Sequence, residues 1–398
     1  MLQPLRHRDF RLLWIGQTVS MLGNGLYSVA LPFQILQLRG TPLQLATGFT
    51  VYSVAQLLTI LFGGAIVDRL PRRRVILTTD ATSALVIGSV AALGLTHHLQ
   101  IPYLYVASAF FGATFSFYRP AMSAILPELV PANLLVPGNA LRGLSSQSAR
   151  VLGPLLGGLV VTGLGPPVGF AIDAGTFAFS FAVFWFARPP AHEPPPPKRL
   201  LADIREGVAF SFSVPWIWVS IVGFAVTNGF FFAGFTVALP LLVLNVLKGG
   251  AATFGLIGAA AGVGEVAGGL LVGNVHIRRV GAAIYVSSGL LGLGFIGYGI
   301  APLLPVVLIA AFAFAFAIVI SNTLWESALQ KRVPRQLMGR VNSVDNFGSY
   351  LVAPVAPLVA GALIPHTGPS AIFVVGGALA FLYWMAALAL VRAARELV

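Results

Sequence analysis

The charged side chains inside the long apolar stretches of this chain are few, and they are the residues best placed to do chemistry. A charge at the centre of a membrane-spanning helix costs about 2.5 kcal/mol or more, so each one needs a physical reason. Arg150, Asp173 and Glu265 lie near the middle of such stretches. We expect Arg150 to pair with Glu265 or Asp173 and the other acid to bind and release a proton, because a low-dielectric surrounding favours a neutral carboxyl group. A fixed structural ion pair is the alternative.

The remaining intramembrane charges lie closer to the ends of the stretches. Four of them are expected to form a salt-bridge network near the inner face: Asp80, Arg142, Glu326 and Asp345. Arg119 either attracts a polar or anionic substrate group in a cavity or extends its long side chain to the inner surface. The polar candidates for a substrate cavity are Gln17, Asn24, Tyr118, Arg119, Asn228, Asn322 and Tyr350.

The composition explains why so few charges are present. The chain has 398 residues, of which 57% are hydrophobic and 9% charged, whereas soluble domains carry about 25% charged residues. This excludes both a disordered chain and an ordinary soluble enzyme. The sequence contains twelve apolar stretches of membrane-spanning length, which are too long for barrel strands and lack their alternation of apolar and polar residues. The predicted spans are 12–37, 42–67, 75–96, 102–126, 138–163, 167–187, 215–246, 251–275, 280–300, 303–328, 339–364 and 369–391.

The basic residues predict the orientation of these spans. With the N-terminus inside, nineteen of the 24 Lys and Arg fall in inside segments and two in outside segments. Cationic loops stay on the cytoplasmic side. We therefore expect a multi-pass protein of the bacterial inner membrane with both termini cytoplasmic. The net charge of +12 is explained by these loops, and no nucleic-acid partner is expected.

The chain is predicted to fold as two six-helix halves. Residues 1–187 form the first half, 188–214 a cytoplasmic linker with an amphipathic helix, and 215–398 the second half. Val-Ala-Leu-Pro occurs at 29–32 and again at 237–240, in the first span of each half. Six is an even number of spans, so the halves would be parallel repeats about an axis along the membrane normal. The predicted fold class is an all-α membrane protein of twelve helices in two pseudo-symmetric halves.

The loop after the second span carries the most specific motif. It contains, in order, Gly64, Asp68, Arg69, Arg72, Arg73 and Arg74. Gly64 allows close helix approach, and the arginines can pair with acids at neighbouring cytoplasmic ends, such as Glu128. This motif resembles the loop 2–3 signature of the major facilitator superfamily, with Pro71 where that family usually has glycine. With Asp345, these residues are the predicted cytoplasmic gate.

The fifth span carries a second motif, which consists of Gly153, Pro154, Gly157 and Gly158. It resembles the antiporter signature of the same superfamily, a glycine-rich helix with a proline kink. Its small residues predict tight packing against the eighth span. The arginine that the family often has in the fourth span is absent, because Ser108 and Ala109 precede Gly112.

Further residues along the whole chain, including Asp80, Arg150 and Asp173, resemble the macrolide-efflux and enterobactin-export branch of the superfamily. This resemblance implies proton-driven export of an amphipathic small molecule or drug by alternating access. The alternatives are a siderophore or lysolipid carrier or flippase, and a facilitator without proton coupling. A membrane enzyme acting on lipids and a sensor are less well supported, since the six His form no cluster and no soluble domain is predicted. We expect a monomer with lipid and protons as partners, and no cofactor or metal.

Overall fold

The computed structural model describes residues 2–67, 70–189, 200–275, 277, 279–300, 303–334 and 336–391, with the backbone alone over 60–67 and 200–204. Every regular element within these ranges is helical. Long apolar sequences form helices because a lipid surrounding offers no partner for backbone N–H and C=O groups, so these groups must pair within the helix.

Six long helices come from the first part of the chain. They are α1 (Arg8–Gln37), α2 (Pro42–Val67), α3 (Arg72–Leu95), α4 (Ile101–Leu129), α5 (Leu135–Leu164) and α6 (Pro166–Trp185). The turn between α5 and α6 is a single residue, Gly165, with φ of 85°. Only glycine adopts this conformation readily, and Pro166 then occupies the first turn of α6, where a missing N–H costs nothing.

The rest of the chain adds eight helices within the described ranges. They are α7 (Leu200–Ser213), α8 (Pro215–Val246), α9 (Ala251–Asn274), α10 (Val280–Ile300), α11 (Leu304–Arg332), α12 (Met338–Ser349), α13 (Ala356–Thr367) and α14 (Pro369–Leu390). Two π-helical stretches, Gly234–Ala238 and Leu242–Val246, flank Pro240 in α8. Proline has no amide hydrogen, and wider turns accommodate the lost bond.

Eight helices of the described chain have the length and apolar composition needed to cross a membrane: α1, α3, α6, α8, α9, α10, α11 and α14. The other predicted spans coincide with α2, α4, α5 and the pair α12–α13. The prediction of one continuous helix over 339–364 is wrong, because a turn at 350–355 separates α12 from α13. Pro354 and Pro357 explain the break, since proline lacks the N–H and restricts the preceding residue.

The chain forms two compact units. The first contains residues 1–196 together with 249–259, and the second contains residues 197–248 with 260–398. The start of α9 thus belongs to the first unit. In the first unit α1 packs on α5 and α6, α2 on α4, and α3 on α4 and α6; in the second, α10 packs on α11 and α14.

The repeated Val-Ala-Leu-Pro sequence occupies equivalent surroundings. Residues 29–32 of α1 and 237–240 of α8 are all buried. Each unit also has its own apolar core. One centres on Phe10, Ile76, Ile125 and Phe184, and the other on Trp216, Trp325 and Trp384.

Candidate coupling and transport site

Asp173 lies in the middle of the first unit, where α6 crosses α1. Its side chain is 0% exposed. A Cβ atom on Gly23 of α1 would lie 2.5 Å from Asp173 Oδ1 and 2.1 Å from Thr176 Oγ1. Only glycine at position 23 therefore leaves room for these two polar side chains. The carboxyl group is enclosed by backbone and apolar side chains of its own unit.

The Asp173 carboxyl group has no partner in the part of the chain that the structure describes. Neither Oδ1 nor Oδ2 accepts a hydrogen bond there, and the Thr176 hydroxyl donates instead to the Asp173 carbonyl oxygen at 2.7 Å. The predicted pairing of Arg150 with Asp173 is therefore wrong. The physical reason is placement: Arg150 is exposed on α5, whereas Asp173 faces α1.

An aromatic cluster lies one turn further along α1 from Gly23. The ring of Tyr27 stacks on Phe111 of α4 with centroids 4.8 Å apart, and it tilts against Phe170 of α6 at 5.7 Å. Phe111 also contacts Phe177 edge-on. These rings shield the carboxyl group from water. Tyr27 was not among the residues predicted from the sequence, although its spacing of four residues from Gly23 places both on one face of α1.

Glu265, the other predicted coupling acid, lies on α9 in the second unit, where it is half-buried. The glycines beside it fit α9 closely against α11: a Cβ on Gly264 would lie 2.3 Å from the Phe312 carbonyl oxygen, and one on Gly268 2.5 Å from that of Phe316. The pairing of Glu265 with Arg150 stays a prediction.

The start of α3 carries the arginines of the predicted gate. Arg72 forms an ion pair with Glu128 of α4, which confirms the predicted use of Glu128. Arg73 donates to the carbonyl oxygen of Trp185, the last residue of α6, and its guanidinium lies 5.5 Å from the centre of the Trp185 ring. A cation at a helix C-terminus is favourable because that end carries partial negative charge. Gly64 lies on α2, while Asp68 and Arg69 lie outside the described residues.

The Arg72–Glu128 pair gives a direct test of this gate. The two side chains are 19% and 17% exposed, so each charge depends on the other. We expect Arg72→Ala and Glu128→Ala each to lower the free energy of unfolding by about 1 kcal/mol. The charge-exchanged double variant, Arg72→Glu combined with Glu128→Arg, is expected to restore part of that loss. Thermal unfolding in detergent measures both effects, and equal losses in the single and charge-exchanged variants would contradict a direct charge interaction.

The predicted salt-bridge network near the inner face is wrong for two of its acids. Asp80 is 1% exposed and accepts a hydrogen bond from the Ser180 hydroxyl at 2.7 Å. Asp345 accepts from Trp325 Nε1 at 2.9 Å and from the Ser349 hydroxyl at 3.3 Å. Both acids thus meet neutral donors in the described chain: Ser180 and Trp325 come from other helices, and Ser349 lies one turn along the same helix as Asp345. Of the other two predicted members, Arg142 keeps a buried Nε without a partner in the described chain, and Glu326 is exposed.

The Trp325–Asp345 bond joins α11 to α12 and is open to a simple test. Trp325 is 5% exposed and packs edge-on against Trp216 and Phe224. We expect Trp325→Phe to preserve most of this packing but to cost about 1–3 kcal/mol, since it leaves a half-buried carboxyl group without its donor. Trp218→Phe on the exposed side of α8 is the control. Equal melting temperatures for the two variants would show that the indole bond does not stabilise the unit.

The glycine-rich motif of α5 packs at backbone distance on two helices, as predicted. A Cβ on Gly153 would lie 2.9 Å from Gly25 Cα of α1, and one on Gly157 would lie 3.0 Å from Leu26 Cα. One on Gly158 would lie 2.6 Å from the Ala251 carbonyl oxygen, at the start of α9. A Cβ on Gly255 would lie 2.4 Å from the Pro154 carbonyl oxygen. The predicted close packing against the eighth span is thus confirmed within the first unit.

The predicted cavity residues are not all available to a substrate. On α1, Gln17 is buried with Oε1 unpartnered in the described chain, and Asn24 is exposed. Tyr118 is half-buried and Arg119 is exposed on α4. The Asn228 amide of α8 donates to the Ser349 carbonyl oxygen at 3.1 Å, so it holds two helices together. Asn322 and Tyr350 are exposed in the second unit.

The described chain contains no group of three or more His, Cys, Asp or Glu side chains that is arranged to hold a metal ion.

Solved structures show which fold this is. The chain aligns with a POT family transporter in complex with 5-aminolevulinic acid at a TM-score of 0.75 and 15% identity, over 98% of this chain and 97% of that one. It also aligns with a bacterial homologue of the iron transporter ferroportin in the inward-facing state, at a TM-score of 0.71 and 17% identity, over 95% and 98%. At these identities the likeness concerns the fold alone.

Apolar helices, isolated buried charges and this fold define the class: a multi-pass integral membrane transport protein. The family model of the major facilitator superfamily matches residues 13–357, and the chain belongs to that superfamily. Two relatives are enterobactin exporters. The one from Citrobacter koseri is 28% identical over 346 residues, and the one from Salmonella typhimurium is 27% identical over 349 residues. In both cases the match covers 85% of this chain and 81% of the relative.

Proposed function

We propose that this protein is a secondary active exporter that exchanges an amphipathic small molecule for protons by alternating access. The observation that carries this proposal is the Asp173 carboxyl group, fully buried and without a hydrogen-bond partner in the described chain. An ionised carboxylate in such a place costs several kcal/mol. The group is therefore neutral here and loses its proton only when the surrounding helices rearrange, which couples proton release to a conformational change.

Two observations bear on the substrate. The related proteins are named as exporters of enterobactin, which supports outward transport and a siderophore as the second candidate cargo. Arg119 is exposed on α4 of the first unit. A charged side chain of a spanning helix faces water or a binding cavity in preference to lipid. This cation favours a substrate with an acidic group over a lipophilic cation.

The proposal includes a location in the bacterial inner membrane with both termini cytoplasmic, and a monomer as the working unit. The distribution of Lys and Arg supports this orientation. The arginine-bearing start of α3 and the ends of α4 and α6 then lie at the cytoplasmic face, and Asp173 lies toward the outer half of α6.

The deciding experiment is proton flux in proteoliposomes that contain the purified protein and an internal pH dye. The panel consists of enterobactin, macrolides, lysolipids and lipophilic cations. We expect proton movement that depends on one class of the panel, with enterobactin favoured over the cationic classes, and that disappears with a protonophore. No substrate-dependent proton movement across the whole panel would overturn the antiport proposal, while substrate movement without protons would leave a facilitator.

A further inference from the structure

The buried polar groups between α1, α3 and α6 form one row. On α6, Asp173, Thr176 and Ser180 have the spacing i, i+3 and i+7, which places them on a single face. On α1, Gly16 and Gly23 have the matching spacing of seven residues. A Cβ on Gly16 would lie 3.0 Å from Ser180 Oγ, just as Gly23 makes room for Asp173 and Thr176. Gly23 therefore leaves space for Asp173, and Gly16 leaves space for Ser180, about 10 Å further along α6.

Asp80 of α3 lies beside Ser180. Its side chain is 1% exposed, Oδ2 lies 2.7 Å from Ser180 Oγ, and Oδ1 has no hydrogen-bond partner in the described chain. The Ser180 hydroxyl can donate to a carboxylate or accept from a carboxylic acid at this distance. The site thus provides a hydrogen bond to both protonation states, and a buried carboxyl group with one neutral partner favours the neutral state.

The titratable and charged groups around these two acids come from each packed helix. Tyr118 of α4 interacts electrostatically with Asp80 and with Arg142 of α5. Tyr27 of α1 interacts in the same way with Asp173. Asp80 and Asp173 form no ion pair within the described ranges.

The two acids lie on opposite sides of the midpoint of α6, Asp173 on the helix itself and Asp80 beside Ser180. Asp173 is about 10 Å from the start of the helix at Pro166, and Ser180 is about 7 Å from its end at Trp185. Arg73 of α3 contacts Trp185 at the C-terminal end of α6. Arg73 precedes Asp80 by seven residues, so both lie on the same face of α3. Arg73 is half-buried and Trp185 is exposed, so this contact lies where the α3–α6 interface reaches the surface, about 10 Å along α3 from Asp80.

We infer that Asp80, with Ser180 as its partner, is a second proton-binding site, which exchanges its proton with water at the arginine-bearing end of α3, past the Arg73–Trp185 contact. Each event moves one proton between the Asp80 carboxyl group and water, with no other bond changed. This inference rests on the proposed function only in treating Asp173 as the coupling carboxyl group.

Infrared spectroscopy of the purified full-length protein tests the inference without any substrate. We expect two carboxylic-acid carbonyl bands at neutral pH, of which Asp80→Asn removes one and Asp173→Asn the other. Ser180→Ala is expected to shift the Asp80 band to higher frequency. Thr79→Val is the matched control, since the buried Thr79 hydroxyl donates only to Ile76 of its own helix at 2.8 Å, and it is expected to shift neither band.

Deuterium exchange tests the route. In heavy water we expect Arg73→Gln to speed the isotope shift of the Asp80 band about tenfold, as loss of a cation–π contact allows, and to leave the Asp173 band unchanged. A spectrum of Asp80→Asn identical to that of the unmodified protein at every pH would overturn the second site, as would an unshifted Asp80 band in Ser180→Ala. An equal change in the isotope-shift rates of the Asp80 and Asp173 bands in Arg73→Gln would overturn the route. A failure of proton-coupled transport would leave all these spectra unchanged, so the two proposals fail separately.

Discussion

Asp173→Asn is expected to abolish proton-driven transport. With an inward proton gradient, we expect substrate movement in proteoliposomes to fall to the rate measured without a gradient, while substrate exchange at equal pH continues. Asparagine has nearly the shape of a protonated aspartic acid, so the variant permanently resembles the protonated state and cannot release a proton. Since we propose that the native group is neutral in its buried site, we expect the variant to unfold within a few degrees of the unmodified protein.

Two controls make this result specific. Thr176→Val removes a neighbouring hydroxyl that donates to the Asp173 carbonyl oxygen, and it is expected to retain coupling. Glu265→Gln tests the second predicted acid, which lies half-buried in the other unit. Intact proton-driven transport in both Asp173→Asn and Glu265→Gln would falsify the assignment of coupling to these carboxyl groups. Loss of proton-driven transport in Glu265→Gln alone would assign the coupling carboxyl group to Glu265 in the second unit.

Gly158→Leu is expected to have the largest effect on the α5 motif. A Cβ at this position already meets the Ala251 carbonyl oxygen at 2.6 Å and Gly255 Cα at 3.1 Å. Backbone atoms on both sides cannot move as a flexible side chain does. We expect Gly158→Ala to cost about 1–3 kcal/mol and Gly158→Leu to prevent α5 from packing against the start of α9, with loss of transport.

The matched control is on the same helix. A Cβ on Gly163 would meet nothing within 4 Å, so Gly163→Leu changes helix propensity and size by the same amount without a clash. Melting temperature in detergent and transport rate are measured for all three variants. Equal behaviour of the leucine variants at 158 and 163 would show that the close approach is unimportant.

Some of the site was predictable from residue types at the ends of spans. The Arg72–Glu128 pair is an example: both residues occur just beyond apolar stretches, where charges of opposite sign meet at one face. The small residues of the α5 motif likewise predict close packing, since glycine in an apolar helix lets another backbone approach. Both features follow from position relative to the membrane.

Other parts of the site were not predictable in this way. The partner of Asp80 is a serine on α6, and the partner of Asp345 is a tryptophan on α11. The sequence pattern placed both acids in one salt-bridge network near the inner face, because opposite charges are the simplest partners. Neutral donors occur throughout the helices, and only the packing of α3 on α6 and of α11 on α12 selects which one meets each acid. The break at 350–355 was also missed, since its apolar residues continue the span in composition.

By itself, the sequence determined that this protein consists of apolar helices in a membrane. Charged residues make up 9% of the chain, too few for a surface in water, and in lipid the backbone groups must pair within helices. It also predicted which charges are exceptional. The tertiary structure alone decided what surrounds them: Gly16 and Gly23 of α1 are distant in the chain from α6, yet Gly23 makes room for Asp173 and Gly16 makes room for Ser180, the partner of Asp80. Burial and partners depend on which helix faces meet, and that is a property of the folded bundle.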